Sequence, residues 1–279
     1  MEHKSTLQKE IAFAGVGVHG GKTVHMLLKP SDEGRIQFVR NDLGGVRLSP
    51  DPRSTESPNC TVIKADNVRI QTVEHLLAVL YAFGIDSLEI ELDGDEIPIL
   101  DGSAEPFAEA VTAAGIRSLP GRKQNLTVLE SFTVSDGRGE IRVSPSTEFS
   151  IRYRIFFDHP AVGEQDLEFS VTPEAFIRDI APARTFGFLK DVEALRSRGL
   201  ALGGSLDNAL VLDEAKVING PLRFTDEFVR HKILDLIGDL ALLGQPVLGH
   251  FDVYSGGHVL HQKAVRFLLD HPGLYRIEG

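Results

Sequence analysis

The sequence predicts an α+β protein built from two related halves. Three observations carry this. Each half holds a long apolar stretch with helical spacing. Strand-like alternating segments flank each stretch. And Leu76-Leu77-Ala78-Val79-Leu80-Tyr81-Ala82-Phe83-Gly84 aligns without gaps on Leu236-Ile237-Gly238-Asp239-Leu240-Ala241-Leu242-Leu243-Gly244. That alignment sets His75 over Asp235. Either the halves are a diverged repeat, whose two buried helices can face each other, or two apolar helices resemble each other by chance.

In chain order, Gly15, Gly17 and Gly20 spell Gly-x-Gly-x-x-Gly. A dinucleotide site is rejected, because no amphipathic helix follows; residues 23–29 alternate as a strand. Residues 36–39 and 61–63 read as further strands. Residues 71–84 are apolar nearly all round and read as a buried helix, with Thr72 as N-cap and Gly84 as stop. Residues 87–92 alternate as a strand, 93–95 form a turn, and 105–115 read as a helix. Pro120-Gly121-Arg122-Lys123-Gln124 is polar and turn-rich, and the boundary between domains 1–123 and 124–279 is placed there.

Strands are expected at 126–129, 140–143, 149–157 and 209–212, and short helices at 176–180 and 191–198. The second long helix runs over about 225–243. Thr225 is its expected N-cap, Phe224 and Val229 a hydrophobic staple, and Gly244 its stop. A strand at 247–254 and a mixed segment at 259–267 close the chain.

The net charge of −11 argues against non-specific nucleic-acid binding, which needs clustered positive charge. The single cysteine, Cys60, allows no intrachain disulfide and fits a reducing compartment. No apolar leader opens the chain and no apolar run is long enough to span a membrane, so a cytoplasmic protein is expected. A monomer is expected, since no coiled-coil segment appears.

The second long helix carries a polar row, His231, Asp235 and Asp239, at i, i+4 and i+8. Residues four apart share a helix face. Such groups in an apolar helix need partners or a metal. Glu74-His75 opens the first helix. His75, His231 and Asp235 together give two imidazoles and a carboxylate, the three-ligand make-up of a catalytic zinc site; one cysteine cannot build the usual structural site. Glu74 could take the proton of a water that the metal acidifies. The plain alternative is a His–Asp hydrogen bond on a half-exposed face. His258 follows a Gly-Gly turn and is read as loop-borne, where site residues concentrate. His250 and His261 compete with it, and spacing does not choose. Thr185 could offer a hydroxyl to an oxyanion.

At these residues the chain resembles the zinc-dependent UDP-3-O-acyl-N-acetylglucosamine deacetylases of lipid A biosynthesis in Gram-negative bacteria. The matching motifs are Gly15-Val16-Gly17-Val18-His19, Thr72-Val73-Glu74-His75-Leu76-Leu77, Ile97-Pro98-Ile99-Leu100-Asp101-Gly102-Ser103-Ala104 and Asp158-His159-Pro160-Ala161. Further along come Ala183-Arg184-Thr185-Phe186-Gly187-Phe188, Gly203-Gly204-Ser205-Leu206-Asp207-Asn208, Phe228-Val229-Arg230-His231-Lys232-Ile233-Leu234-Asp235 and Ser255-Gly256-Gly257-His258.

The resemblance implies a fold of two similar domains, each a β-sheet layer with helices, the helices sandwiched between the two sheets. It implies a deacetylase that hydrolyses the acetamide of UDP-3-O-(3-hydroxyacyl)-N-acetylglucosamine, the committed step of lipid A biosynthesis. His75, His231 and Asp235 match the Zn²⁺ ligands; Fe²⁺ also suits that donor set. Glu74 matches the general base and His258 the proton donor to the leaving amine. Thr185 matches the oxyanion-stabilising hydroxyl, and Asp239 a carboxylate supporting the catalytic histidine. Lys232, Phe186, Phe188 and His19 match substrate-side positions. An insert over about 186–204 is implied to form an apolar passage for the acyl chain, with Leu189, Val192, Leu195, Leu200 and Leu202 as candidates. His261 stands where relatives commonly have asparagine. Two rivals are a zinc amidase for another N-acyl sugar or peptide, and a nucleotide-sugar binding protein with a structural metal. Glu74 and His258 argue against the second, because binding alone needs neither.

Overall fold

The computed structural model describes residues 3–53 and 57–279; Met1 and Glu2, which open the polar N-terminal stretch, lie outside them. The chain begins with strands β1 (His3–Leu7), β2 (Ile11–Val16), β3 (Thr23–Pro30), β4 (Ile36–Arg40) and β5 (Val46–Leu48). A hairpin of β6 (Val62–Ala65) and β7 (Val68–Gln71) precedes helix α1 (Glu74–Ala82). Strand β8 (Leu88–Leu92), helix α2 (Glu105–Ala114) and strand β9 (Ile116–Arg122) follow.

The second half has β10 (Asn125–Val128), β11 (Phe132–Ser135), β12 (Glu140–Ser144), β13 (Phe149–Phe157) and β14 (Gly163–Ser170). A single turn, α3 (Pro173–Ala175), passes into a π-type turn at Phe176–Ile180. Then come β15 (Phe186–Phe188), α4 (Leu189–Ser197), β16 (Leu210–Leu212), α5 (Glu227–Leu240), β17 (Val247–Tyr254), α6 (His258–Asp270) and β18 (Tyr275–Glu278).

The fold is α+β, as expected. One sheet runs β2-β3-β8-β4-β5, with β4 and β8 parallel and the other pairs antiparallel. In the other, β11, β12, β17, β13 and β14 are neighbours in that order, with β13 and β17 parallel. The two strand orders are the same. In each, a helix (α1 or α5) leads into the central strand and another (α2 or α6) leaves it. The internal repeat is therefore visible in topology, and the aligned helices α1 and α5 hold equivalent places.

Helices α1 and α5 pack on each other, α5 also packs on β13 and β14, α2 on β2, and α6 on β11 and β12. Every residue of α1 except Tyr81 is buried, as its all-round apolarity requires. On α5 the buried set includes His231, Asp235 and Asp239 beside Phe228, Ile233 and Ile237.

Several local expectations are corrected. Thr72 does not cap α1. It sits at φ 58°, its hydroxyl donates to Glu96 Oε1 at 2.9 Å, and the helix starts after Val73 with no side-chain cap. Thr225 does not cap α5, whose N-cap is Asp226; Phe224 lies under the Arg230 guanidinium, 4.4 Å from it. Residues 116–122 are a strand paired with β1, so Pro120-Gly121 lies within β9 rather than in a turn. The segment after Gly257 is helix α6, and His258 is its first residue, not a loop residue. Its helical period is masked because His261 and Gln262 share the buried face with Leu260, Ala264, Val265 and Leu268. Gly84 and Gly244 do end their helical segments, at φ 67° and 72°.

Candidate active site

The closest approach of α1 and α5 is set by a missing side chain. A Cβ on Gly238 would lie 2.2 Å from the Glu74 carbonyl oxygen and 2.8 Å from its Cα. Only glycine lets the first turn of α1 lie on α5 at that point. It brings Glu74 and His75 level with His231, Asp235 and Asp239.

There, one ligand atom each from His75, His231 and Asp235 lie within 4.8 Å of one another, all buried. His231 Nε2 is 3.4 Å and His75 Nε2 3.9 Å from Asp235 Oδ1. His231 Nδ1 donates to the Ala183 carbonyl at 3.0 Å, which leaves the Nε2 lone pair facing the cluster. His75 Nδ1 is buried with no hydrogen-bond partner. Burial, reinforced by His231, pushes the His75 imidazole down to about 3. Burial also lowers His231. Both rings are therefore neutral and can donate lone pairs. Burial alone would raise Asp235, but the Lys232 ammonium, 2.8 Å from Oδ2, holds it well below the usual carboxylate range. Two neutral imidazoles and an ionised carboxylate, one imidazole nitrogen orphaned, fit a divalent cation such as Zn²⁺ or Fe²⁺.

Beside this cluster lies a Glu74–His258 pair. Glu74 is buried, and burial raises its carboxyl to about 7. Its Oε2 accepts the Thr61 backbone N–H at 2.9 Å, and its Oε1 is 3.9 Å from His258 Nε2. Burial would lower His258, but Asp239 first and then Asp235 raise it to about 9. His258 Nδ1 is 2.8 Å from Asp239 Oδ2, so Nε2 points back toward Glu74 and Asp235. The Thr61 hydroxyl donates to Asp239 Oδ1. His258 is thus singled out among its competitors: His250 lies on β17 bonded to Ser150, and His261 sits behind Asp239.

The Thr185 loop is locked to α5 by a buried carboxylate. Glu227, fully buried in the first turn, accepts from the Arg184 and Arg223 backbone amides and from the Arg184 guanidinium. Arg223 in turn reaches Asp101 Oδ2 at 2.8 Å, and the Thr185 N–H donates to the Gly102 carbonyl. These contacts fix Thr185 and Phe186 at the rim. Phe186 stacks edge-on against Phe228, and its ring lies 5.4 Å from Lys232 Nζ.

From Glu74, His75 and Thr185 a cavity of about 430 Å³ extends between Phe186, Phe188, Leu189, Val192 and Leu195. His19 lines its other side, where its ring accepts the Ala201 N–H. Leu200, expected to line this passage, does not, and neither does Leu202, which is exposed. The chain turns out of α4 at Gly199 (φ 75°), and Leu200 leaves the face that carries Val192 and Leu195.

The glycine motif serves packing, not a nucleotide. Glu96, buried, accepts from the His19 and Gly20 amides, and a Cβ on Gly17 would fall 2.3 Å from its Oε2. Sequence reasoning missed Thr61, Glu96, Glu227 and Gly238. For Gly238 a signal existed: a glycine inside a helix, costly there unless something must come close.

A protein similar to the chain from Myxococcus xanthus, named UDP-3-O-acyl-N-acetylglucosamine deacetylase, is 44% identical over 99% of this chain and 89% of its own length. Proteins of the same name from Oleidesulfovibrio alaskensis and Thermodesulfovibrio yellowstonii are 45% and 43% identical, over 98% and 99% of the chain and 91% and 95% of their own lengths. The family model for UDP-3-O-acyl N-acetylglycosamine deacetylase matches residues 4–270, and the chain belongs to that family.

Proposed function

We infer that the protein hydrolyses the N-acetyl group of UDP-3-O-(3-hydroxyacyl)-N-acetylglucosamine, releasing acetate and the free amine for lipid A biosynthesis. The observation that carries this reading is that three groups of residues meet around Glu74 and His75, the two that line the cavity. His75, His231 and Asp235 offer a metal its ligands, Glu74 and His258 offer a base and an acid, and an apolar passage leads away from them.

In this reading His75, His231 and Asp235 would hold Zn²⁺, with Fe²⁺ the alternative. When bound, such an ion acidifies water and polarises a carbonyl. Glu74, held by the Thr61 amide, takes the proton of the attacking water. The Thr185 hydroxyl donates to the developing oxyanion. His258, kept protonated by Asp239, gives its Nε2 proton to the departing nitrogen. Lys232, on the helix face beside Asp235, suits a phosphate or sugar oxygen. His19, Phe186, Phe188 and Leu195 line the cavity and would flank the sugar and acyl chain.

The division into domains 1–123 and 124–279 belongs to the same reading, supported by the two like-ordered sheets. So do a monomer, and a cytoplasmic location on the evidence of the single cysteine. No helix among the described residues is long and apolar enough to cross a membrane.

The test is metal content and acetate release in the purified protein and in His231→Ala. The wild type should bind one zinc or iron per chain and release acetate; His231→Ala should fold, lose the metal and lose the activity. A folded His231→Ala protein with wild-type metal and wild-type rate would overturn the assignment.

A pH dependence follows from the same pair. Activity requires Glu74 ionised and His258 protonated, so the rate rises with pH through the Glu74 pKa and falls through that of His258. A bound cation repels the protons of both groups, which places the limbs at or below about 7 and about 9. Measuring kcat/KM from acid to alkaline pH should give a bell, and His258→Ala should flatten its alkaline limb. A single-limbed wild-type profile would contradict the assigned roles.

A further inference from the structure

We propose that His261 is a positioning residue: it holds the Asp239 carboxylate in the orientation that presents Oδ2 to His258, and Tyr153 holds His261. The proposal rests on the roles read above for Asp239 and His258. Tyr153, His261 and Asp239 are all fully buried. His261 Nδ1 is 2.8 Å from Asp239 Oδ2, the oxygen that His258 Nδ1 also reaches at 2.8 Å. His261 Nε2 is 2.8 Å from the Tyr153 hydroxyl.

These contacts fix the tautomer. A buried phenol keeps its proton and donates it to Nε2, so the single N–H of a neutral His261 must be on Nδ1, facing the carboxylate. Neither ring nitrogen is left for substrate or metal, and any effect of His261 on the reaction passes through Asp239. With Thr61 on Oδ1 and the two imidazoles on Oδ2, the carboxylate has a donor from each side and cannot rotate without losing one. The two imidazoles sit three residues apart on α6, a spacing that lets both converge on one oxygen. Gly256 leaves the room: a Cβ there would lie 2.7 Å from the Tyr153 hydroxyl and 3.1 Å from His261 Nε2. The tie therefore runs from β13 through α6 to α5.

The experiment compares wild type, His261→Asn, His261→Leu and Tyr153→Phe as metal-loaded proteins. It reads kcat and KM for acetate release, metal content, and the downfield proton resonances of hydrogen-bonded imidazole N–H groups. Asparagine places an amide N–H where the Nδ1–H sits; leucine does not. His261→Leu should lower kcat about tenfold or more, with KM and metal content unchanged, while His261→Asn should stay within about threefold of wild type and Tyr153→Phe fall between them. The wild type should show a downfield resonance for each of the His258 and His261 Nδ1–H groups, besides that of the His231 Nδ1–H held by Ala183. Both His261 variants should lose one; the His258 resonance should hold its place in the asparagine variant and move in the leucine variant. Equal losses for asparagine and leucine, a leucine variant within about twofold of wild type, or a change confined to KM or metal content would overturn the proposal. A wild type that releases no acetate would sink the functional reading instead, and the resonances would still decide whether the two imidazoles share Asp239.

Discussion

Glu74→Gln is expected to lower kcat by about a thousandfold while metal content and KM stay near wild type. The glutamine amide keeps the volume, and its oxygen can still accept the Thr61 N–H that orients the carboxylate. What it cannot do is take a proton. Glu74 is also not one of the three clustered ligand side chains, so the ion should remain. Steady-state acetate release combined with metal analysis checks this. A variant that loses metal and rate together would mean that Glu74 is a ligand and that another group is the base. Loss of Glu74 and His258 together should cost little more than the worse single change, since groups acting as a unit are not additive.

The second large effect concerns a residue that touches no substrate. Gly238→Ala sets a methyl group 2.2 Å from the Glu74 carbonyl oxygen, in a contact between two helix backbones that no side-chain movement can relieve. Helix α1 must move away from α5. The expected outcome is destabilisation by about 3 kcal/mol, the upper part of the range for overpacking. Metal affinity should also fall, because His75 moves off while His231 and Asp235 stay. Thermal melts with and without added zinc, and a zinc titration, measure the two effects. An alanine variant that melts and binds zinc as the wild type does would show that the helices tolerate separation.

The clustered side chains are legible in the sequence because chemistry constrains both their type and their spacing. The His231–Asp235–Asp239 row announces itself, since charged groups four apart in an apolar helix need an explanation. The alignment of the two apolar stretches pointed to the pairing of α1 with α5 that the structure contains. Less legible were residues whose role depends on what lies opposite them. Thr61 is an ordinary strand-edge threonine until Asp239 and Glu74 are placed beside it. Glu227 looks like any acidic first-turn residue, yet it is fully buried under two arginines' amides. Strand β14, Gly163 to Ser170, alternates only at Leu167 and Phe169, and its first half takes its order from pairing along β13. The setting of His258 is not legible either, since a Gly-Gly turn can as well precede a helix as present a loop.

The contact between α1 and α5 also has a kinetic meaning. The cluster joins residue 75 to residues 231 and 235, so it consists of contacts with very high sequence separation. Closing a loop of that length costs entropy before any contact repays it, which puts such pairings among the last to form. A half-made chain has one imidazole, or one imidazole and a carboxylate, and neither set grips a divalent ion well. Capture of an ion by this cluster would thus report completion. Once captured, it stabilises only the finished state, by about 4 kcal/mol when free metal exceeds its dissociation constant a thousandfold. An ion bound there would work as a latch on the folded chain as well as a reagent.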